Sequence, residues 1–419
     1  MPRRSETQQP HDRGPTDTHA LTRLTSFTVQ MLEEWTERTH TGAVPDPAPG
    51  DPGIPVLCAA LASLPAVGEP SHARRTADAV ARATALWART AGAGRRHPGL
   101  YDGGLAGTLV GLRLGSTVQP ALRRAADRLD AGLLRSATDR APTPGRVTFP
   151  DYDLVLGPSG TLLALCAGTE PNRPGLAPYI DTLTSLCTAD DLAALRTAYA
   201  GHRHLGWLDG RVNTGMAHGA AGVAAALTAS VRRCGRTAEQ EHALRTLCEW
   251  LRRQSFTDAL GVRSWDGAGL DAPPAPGARA RQAWCYGTPG ISWALWDASE
   301  ALGDQAGAEW AAEAFTSLAD RYDEAFHLFG EAPDDLLGLC HGACGVLAVA
   351  DAFHRHARLP AATALRARLL SSVLDGLPDV AELARAHMTL LGGAGGVLTA
   401  LLTTAAGASR AWLPCVGLR

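Results

Sequence analysis

Two short segments in the second half of the chain carry residues that could bind a metal ion. Cys285 precedes the sequence YGTPG, and the pair Cys340 and His341 precedes GACG. Two thiolates and one imidazole form a ligand set that suits zinc, and three protein ligands leave one tetrahedral position open for a substrate. The sequence therefore predicts a catalytic zinc site, with one Zn2+ ion, formed by Cys285, Cys340 and His341.

Two titratable residues precede similar glycine pairs earlier in the chain. His218 lies in AHGAAG, and Asp153 lies in DLVLGPSG. Histidine titrates near neutral pH and serves as a general acid or base, and a nearby carboxylate can orient it. Asp151 competes with Asp153 for this role, and capping of the helix that begins near Pro158 is an alternative role for Asp153. We expect His218 and Asp153 to be catalytic.

The remaining cysteines are interpreted as buried core residues, because cysteine outside disulfides is among the most buried residue types. They are Cys58, Cys166, Cys187, Cys234, Cys248, Cys344 and Cys415. An odd total of nine, scattered through a long chain, is unlike the dense pattern of a disulfide scaffold. The first 14 residues contain no apolar signal segment, so we expect a cytoplasmic protein.

The motifs that carry these residues repeat along the chain and indicate how they are positioned. A Gly-x-x-Gly followed by an apolar run occurs six times, beginning at Gly104, Gly157, Gly219, Gly287, Gly342 and Gly393. Successive first glycines are 53, 62, 68, 55 and 51 residues apart, which is enough for two helices and their loops. The repeat is therefore predicted to be a helical hairpin in which each glycine motif begins the inner helix.

The segments between the apolar runs are amphipathic, as expected for outer helices. In Thr237–Gln254 the apolar residues share one face, and Thr237 with Gln240 resembles a capping box. Strand signals are confined to Arg146–Phe149 and Val262–Trp265, so the fold class is all-α. Such hairpins stack as an open solenoid or close into a double-layered barrel. All six turns would lie at the same end of the assembly, and in a closed ring they would converge on one opening.

Two regions lie outside the repeats. Residues 1–55 are predicted to be a partly disordered N-terminal extension with one helix, about Thr22–Glu37, and a proline-rich linker at Thr41–Pro55. Residues 56–419 form the predicted domain. The uncharged stretch Met388–Ser409 is long enough for a membrane span, but its glycines favour a turn and a buried helix.

Composition excludes several classes of function. The formal net charge is −3, so nothing in the overall charge attracts nucleic acid or an anionic membrane. All 39 basic residues are arginine. The absence of lysine excludes Schiff-base and pyridoxal catalysis, and also the lysine of a phosphate-binding loop.

Three blocks of the sequence resemble the signature blocks of the lanthipeptide synthetase C family, the LanC-like cyclases: NTGMAHGAAG (213–222), RQAWCYGTPG (281–290) and LCHGACG (339–345). YDLVLGPSG (152–160) resembles the family's earlier aspartate block. The resemblance spans about residues 100–405, and WCYG followed by a later CHG is its most specific feature. It implies an α/α toroid of inner and outer helices with a zinc site at one end of the central cavity.

The resemblance also implies an activity. On the matching positions, the family's zinc ligands and catalytic residues fall on Cys285, Cys340, His341, His218, Asp153, Arg281 and Tyr286. The implied reaction adds peptide cysteine thiols to dehydroalanine or dehydrobutyrine, which forms lanthionine or methyllanthionine rings. The implied partners are a dehydrated precursor peptide with its leader and a separate dehydratase, because no segment of this chain is left to perform dehydration.

Other functions are compatible with parts of the sequence. Glutathione addition to dehydrated proteins, associated with eukaryotic relatives of this family, would use the same zinc and the same addition chemistry. Another toroid enzyme, such as a prenyltransferase-like zinc enzyme or a glycosidase, agrees less well with the blocks, and Asp334 with Asp335 is interpreted as a loop pair. A non-catalytic scaffold of helical repeats leaves the placement of the three metal-binding residues unexplained.

Overall fold

Helices dominate the computed structural model, which describes residues 18–42, 48–65, 69–136, 147–168, 173–269, 274–275 and 277–419. In chain order, the α-helices of the described residues are α1 (Thr18–His40), α2 (Gly53–Ala62), α3 (Pro70–Thr90), α4 (Leu105–Gly115), α5 (Arg123–Ser136), α6 (Phe149–Tyr152), α7 (Pro158–Cys166), α8 (Arg173–Ser185), α9 (Ala220–Cys234), α10 (Ala238–Arg253), α11 (Thr288–Leu302), α12 (Gln305–Arg321), α13 (Glu324–His327), α14 (Pro333–Leu337), α15 (Ala343–His356), α16 (Pro360–Asp375), α17 (Leu377–Ala386) and α18 (Ala394–Ala405).

Seven of these helices form a closed inner ring. They follow one another in the order α2, α4, α7, α9, α11, α15 and α18, each packed against the next, and α18 packs against α2. Nearly all of their residues are buried, as expected for helices that are apolar all round. Closure of the ring excludes the open solenoid, so the fold is the predicted double-layered α/α toroid.

The outer helices cover the ring through one apolar face each. α3, α5, α8, α10, α12 and α16 pack on the inner helix that precedes them in the chain, and α17 packs on α18. α10 lies where the amphipathic pattern of Thr237–Gln254 predicts it. Its N-terminus carries the predicted capping box, in which the Thr237 side chain accepts from the Gln240 backbone N–H and the Gln240 side chain accepts from the Thr237 N–H.

The N-terminal part of the described chain contributes a seventh hairpin. α2 begins at Gly53 and is an inner helix. The predicted count of six glycine motifs is therefore wrong, because GDPG at residues 50–53 is a seventh Gly-x-x-Gly, whose second glycine begins this helix. α1 packs against α3, α17 and α18 and buries Leu24, Val29 and Leu32. The structure thus describes α1 as a part of the outer layer, longer than the predicted helix at Thr22–Glu37.

Strands are as sparse as expected. Within the described residues, β1 (Phe256–Thr257) pairs antiparallel with β2 (Arg263–Ser264), which confirms the signal at Val262–Trp265. Val147 forms an isolated bridge with Thr197, whereas Arg146 lies outside the described residues. Residues 1–17 and 43–47, for which disorder and a linker are predicted, also lie outside them.

The apolar stretch Met388–Ser409 forms a turn followed by α18, which has 12 residues. This agrees with its interpretation as a turn and a buried helix. No helix among the residues that the structure describes is both long enough and apolar enough to cross a membrane.

The six predicted Gly-x-x-Gly motifs share one local geometry. The first glycine of each is the N-cap of an inner helix: Gly104, Gly157, Gly219, Gly287, Gly342 and Gly393 cap α4, α7, α9, α11, α15 and α18. The second glycine lies against a carbonyl oxygen of the preceding turn. A Cβ on Gly160, Gly222, Gly290, Gly345 or Gly396 would lie 1.8–2.2 Å from that oxygen. Any side chain there would displace the turn that leads into the helix.

These turns lie at one end of the ring, which we call the mouth, and backbone hydrogen bonds join each turn to the next. The N–H groups of Tyr101, Leu154, Met216, Cys285 and Cys340 donate to the carbonyl oxygens of Val155, Ala217, Cys285, Cys340 and Leu391, respectively, at 2.8–3.2 Å. Asp51 completes the circle, because its Oδ1 accepts from Leu390 N–H and from Gly53 N–H, both at 2.8 Å. The mouth is therefore a closed ring of turns.

The C-terminal segment fills the centre of the toroid. Leu413, Cys415, Val416 and Leu418 are buried. Side chains of the surrounding ring donate hydrogen bonds to its carbonyl oxygens: Tyr101 Oη to Cys415 at 2.6 Å, Trp284 Nε1 to Val416 at 2.8 Å and Trp293 Nε1 to Gly417 at 2.9 Å. Because Trp284 directly precedes Cys285, this core also supports one turn of the mouth.

Candidate active site

The three predicted metal ligands come together at the mouth. One donor atom from each of Cys285, Cys340 and His341 lies within 4.8 Å of the other two. The Cys285 N–H donates to the Cys340 carbonyl at 3.2 Å, so the link between neighbouring turns holds the two thiols side by side. The donors of a tetrahedral zinc ion are about 3.3–3.8 Å apart, since Zn–S is about 2.3 Å and Zn–N about 2.0 Å. The set therefore fits zinc in its chemistry, and its donors lie close enough together to converge on one ion.

The pKa values of the two thiols are shifted in opposite directions. A hydrogen bond from Cys285, together with the neighbouring His341, holds the pKa of Cys340 well below its usual range. Burial and the adjacent Cys340 raise the pKa of Cys285 well above its usual value. The pocket thus already favours one thiolate, the form in which cysteine binds metal. Cys344, four residues after Cys340, is fully buried, and burial raises its pKa to about 12, as expected for a core thiol.

His218 and Asp153 form a direct pair in the same ring of turns. His218 Nδ1 lies 2.5 Å from Asp153 Oδ2. Asp153 is buried, and its Oδ1 accepts from the backbone N–H groups of Leu156 and Gly157 at 2.7 and 2.9 Å. Burial raises the pKa of Asp153, while the bond to His218 opposes that shift. Asp153 therefore both stabilises the turn before α7 and orients the imidazole, through different oxygens.

Asp151, the competing carboxylate, has another partner. Its Oδ2 accepts from the Thr148 backbone N–H at 2.7 Å and completes the capping box of α6. α6 in turn supports His218, because the Phe149 ring stacks on the imidazole at 4.2 Å between centroids. Tyr152 Oη donates to the His218 carbonyl at 2.7 Å. No pattern in the sequence marks Phe149 or Tyr152, and only the tertiary structure brings them to His218.

Arg281 lies beside the metal-ligand set. Its Nη1 is 3.7 Å from Asp335 Oδ1, and the same carboxylate oxygen is 3.7 Å from His341 Nδ1. The Phe329 ring lies below the guanidinium at 5.4 Å. The interpretation of Asp335 as part of a loop pair is wrong, because it lies in α14 and joins an arginine and a ligand histidine. At 3.7 Å the Asp335 carboxylate interacts with both side chains through its charge and not through a hydrogen bond.

Tyr286 lies on the opposite side of Cys285. Its hydroxyl oxygen accepts from Asn213 Nδ2 at 2.9 Å. Burial raises the pKa of Tyr286, so its hydroxyl stays protonated and can donate a hydrogen bond at neutral pH. Met216 N–H donates to the Cys285 carbonyl at 2.8 Å and joins the turn of His218 to that of Tyr286. All seven predicted site residues thus lie on the linked turns of the mouth or directly beside them.

Comparison with known proteins agrees with this arrangement. The profile of a family described as "Lanthionine synthetase C-like protein" matches residues 49–416. Among solved structures, the fold is similar to that of "Nisin cyclase", with a TM-score of 0.73 and 18% sequence identity over 95% of this chain and 97% of that chain. At this identity the likeness concerns the fold alone. The comparison with curated proteins found no match.

Proposed function

This chain belongs to the lanthionine synthetase C-like family, and from that premise we propose that it is a zinc-dependent lanthipeptide cyclase. Its reaction adds the thiol of a peptide cysteine to a dehydroalanine or dehydrobutyrine of the same peptide. The observation that carries the proposal is the cluster of Cys285, Cys340 and His341 on turns that adjoin the His218–Asp153 pair. A scaffold of helical repeats has no need for either arrangement.

Cys285, Cys340 and His341 would hold one zinc ion and leave a position open for the substrate sulfur. A zinc ion held by these residues lowers the pKa of a bound thiol, which otherwise is only about 3% ionised at pH 7 for a pKa near 8.5. The Asp335 carboxylate lies 3.7 Å from both His341 and Arg281 and balances the positive charge of the arginine.

His218 moves the proton. Because its Nδ1 is committed to Asp153, its Nε2 is the nitrogen that exchanges protons with the substrate. Nε2 accepts the thiol proton as the sulfur bonds to the alkene β-carbon. The π electrons move to the α-carbon and its amide oxygen, and the proton then passes to the α-carbon. One S–H bond and one π bond are replaced by one S–C and one C–H bond, so the reaction is an isomerisation.

Arg281 and Tyr286 stabilise the negative charge that develops on the amide oxygen. Arginine stays charged at neutral pH, so Arg281 acts as a fixed cation and not as a proton donor. Tyr286 keeps its proton and can donate to the same oxygen or to the peptide backbone. Arg281 lies four residues before Cys285 and Tyr286 directly after it, so both adjoin the residues that would hold zinc.

The proposal includes partners. The substrate is a dehydrated precursor peptide with its leader, and a separate dehydratase supplies it. The reaction takes place in a reducing cytoplasm, the compartment that suits a chain whose nine cysteines are scattered and not spaced as in a disulfide scaffold.

The test uses the zinc-loaded protein and a dehydrated peptide that contains cysteine. We expect the peptide to lose the thiols that an alkylating reagent would label, with no change in its mass. The Cys340→Ala variant is the matched control and should leave the thiols free. Persistent labelling with the wild type, together with a glutathione-sized mass increase when glutathione is added, would favour the glutathione-adding relative instead.

A further inference from the structure

Exposed apolar side chains are rare on this protein, and two of them border the mouth. Among the residues that the structure describes, three large apolar side chains are more than one-third exposed: Trp207 at 49%, Leu260 at 38% and Leu336 at 37%. Tryptophan is one of the residue types that most often carry the binding energy at interaction sites. The positions of Trp207 and Leu336 relative to the reacting groups indicate what covers them.

Trp207 lies next to Tyr286. A Cβ built on Gly267 would lie 3.0 Å from Trp207 Cη2 and 3.4 Å from Tyr286 Cε1, so both rings border this glycine. The Gly267 carbonyl accepts from Thr214 N–H at 3.3 Å, in the turn that leads to His218. Trp207 thus continues the wall of the site outward from Tyr286.

The loop that carries Trp207 is fixed before any ligand binds. Thr197 Oγ1 donates to the Leu208 carbonyl at 2.5 Å, and Gly210 N–H donates to the Thr197 carbonyl at 2.8 Å. Tyr199 N–H donates to Asp209 Oδ1 at 2.8 Å, and the Tyr199 ring packs edge-on against Phe149 at 5.1 Å. A rigid exposed ring loses little conformational entropy on binding, which suits it to contact a flexible peptide.

Leu336 lies on the other side of the metal-ligand set. It follows Asp335 in α14, and the Asp335 carboxylate lies 3.7 Å from both His341 Nδ1 and Arg281 Nη1. The Leu336 carbonyl carbon would lie 2.5 Å from a Cβ on Gly342, the residue after His341. The backbone of Leu336 is therefore packed directly against the second ligand turn.

We propose that Trp207 and Leu336 form an apolar rim that binds the dehydrated peptide on either side of its reacting cysteine and alkene. This inference rests on the proposed function and names the residues that recognise its substrate. The positive charge of Arg281 is compensated by the negative charge of Asp335, which lies 3.7 Å away and directly precedes Leu336. Apolar contact, and not net charge, therefore selects the peptide at the mouth.

The experiment measures the Kd of a fluorescently labelled dehydrated peptide for the zinc-loaded protein, in a His218→Asn background that slows turnover. Trp207→Ala and Leu336→Ala should each weaken binding about tenfold, as expected for loss of a contact worth more than about 1 kcal/mol. Trp207→Phe should restore most of the affinity. The zinc content should stay that of the background protein.

Leu260→Ala is the matched control, because Leu260 is equally exposed but lies in the turn between β1 and β2. Its Kd should equal that of the background. The proposal is overturned if both rim variants keep the background Kd, if Leu260→Ala weakens binding as much as they do, or if the rim variants alter only self-association in sedimentation. Failure of the proposed function has a different signature: peptide bound at the rim by the wild type, with its thiols never consumed.

Discussion

The two ring nitrogens of His218 have different environments. Nδ1 is 2.5 Å from the buried Asp153 carboxylate, and the ring stacks on Phe149, so the orientation of the imidazole is fixed from two sides. We predict that His218→Asn keeps its zinc and loses 10²- to 10⁴-fold in cyclisation rate, the range for loss of a general acid or base. Metal analysis and a single-turnover rate test this. Loss of the metal would make His218 a ligand, and an unchanged rate would remove it from proton transfer.

The metal site permits a second prediction at this scale. Purified protein should contain about one zinc ion per chain, because the described residues hold one group of three converging donors. The double variant Cys285→Ala with Cys340→Ala should contain none, whereas Cys344→Ala, which removes a core thiol outside the group, should keep it. Elemental analysis of the three proteins decides this, and full zinc in the double variant would refute the site.

Residue types and motif positions were enough to predict that Cys285, Cys340 and His341 converge and that His218 pairs with Asp153, because these residues adjoin the repeated glycine motifs. Phe149, Asp335 and Trp207 could not be found in this way. Each lies away from the glycine motifs, on α6, on α14 or in a loop, and reaches the mouth only through tertiary packing. Asp335 in particular has no pattern in sequence that distinguishes it from Asp334.

At the scale of elements, the second glycine of each motif sets the distance between an inner helix and its turn. A Cβ on Gly345 would lie 2.1 Å from the Leu339 carbonyl oxygen and 2.9 Å from Trp284 Cβ. We predict that Gly345→Ala lowers the free energy of unfolding by about 2 kcal/mol or more and weakens zinc binding, because it displaces the turn that carries Cys340. Urea denaturation and zinc competition measure the two effects.

Gly132 provides the control. It lies within α5, and a Cβ there would meet no atom within 4 Å. Gly132→Ala should increase stability by about 0.5–1 kcal/mol through helix propensity and leave zinc affinity unchanged. Equal stability of the two alanine variants would contradict the role given to the second glycine.

The glycine motif predicted six of the seven inner helices and their starting points. The seventh, α2, was missed because its own glycine motif, GDPG at residues 50–53, lies in the proline-rich stretch Thr41–Pro55, whose composition favours a linker. Its packing partner, α18, is also almost the whole chain away. Closure could not be read from periodicity for the same reason. It depends on the packing of α2 against α18 and on the hydrogen bond that Asp51 accepts from the Leu390 N–H across that seam.

At the scale of the whole molecule, Asp351 ties the C-terminal segment to the outer layer. This buried carboxylate on α15 accepts from Arg355 and Arg366 at 3.0 and 2.7 Å, and it also pairs with Arg410. Burial alone would raise the pKa of Asp351, but the three arginines hold it below its usual value. The stabilisation is therefore fully present above the unfolded-state pKa of about 3.9 and is lost as the pH falls through the lower folded-state value.

Asp351→Asn should accordingly cost about 3 kcal/mol at pH 7, as for a buried ion pair that loses one partner. The deficit should shrink as the pH falls below about 4, because the wild type then loses the same charge. Urea unfolding of both proteins between pH 7 and 3, with a chelator present to remove any metal contribution, measures this. A deficit that stays constant over the whole range would contradict the assignment of charge to Asp351.

The central claim is that the protein joins a peptide thiol to an alkene and protonates the α-carbon. The most direct measurement is cyclisation of a dehydrated peptide in D2O, followed by return to H2O and mass analysis. The account predicts one non-exchangeable deuterium at an α-carbon for every thiol consumed, and no other change of mass. Consumption of thiols without α-deuterium, or full retention of thiols with zinc-loaded protein, would contradict it.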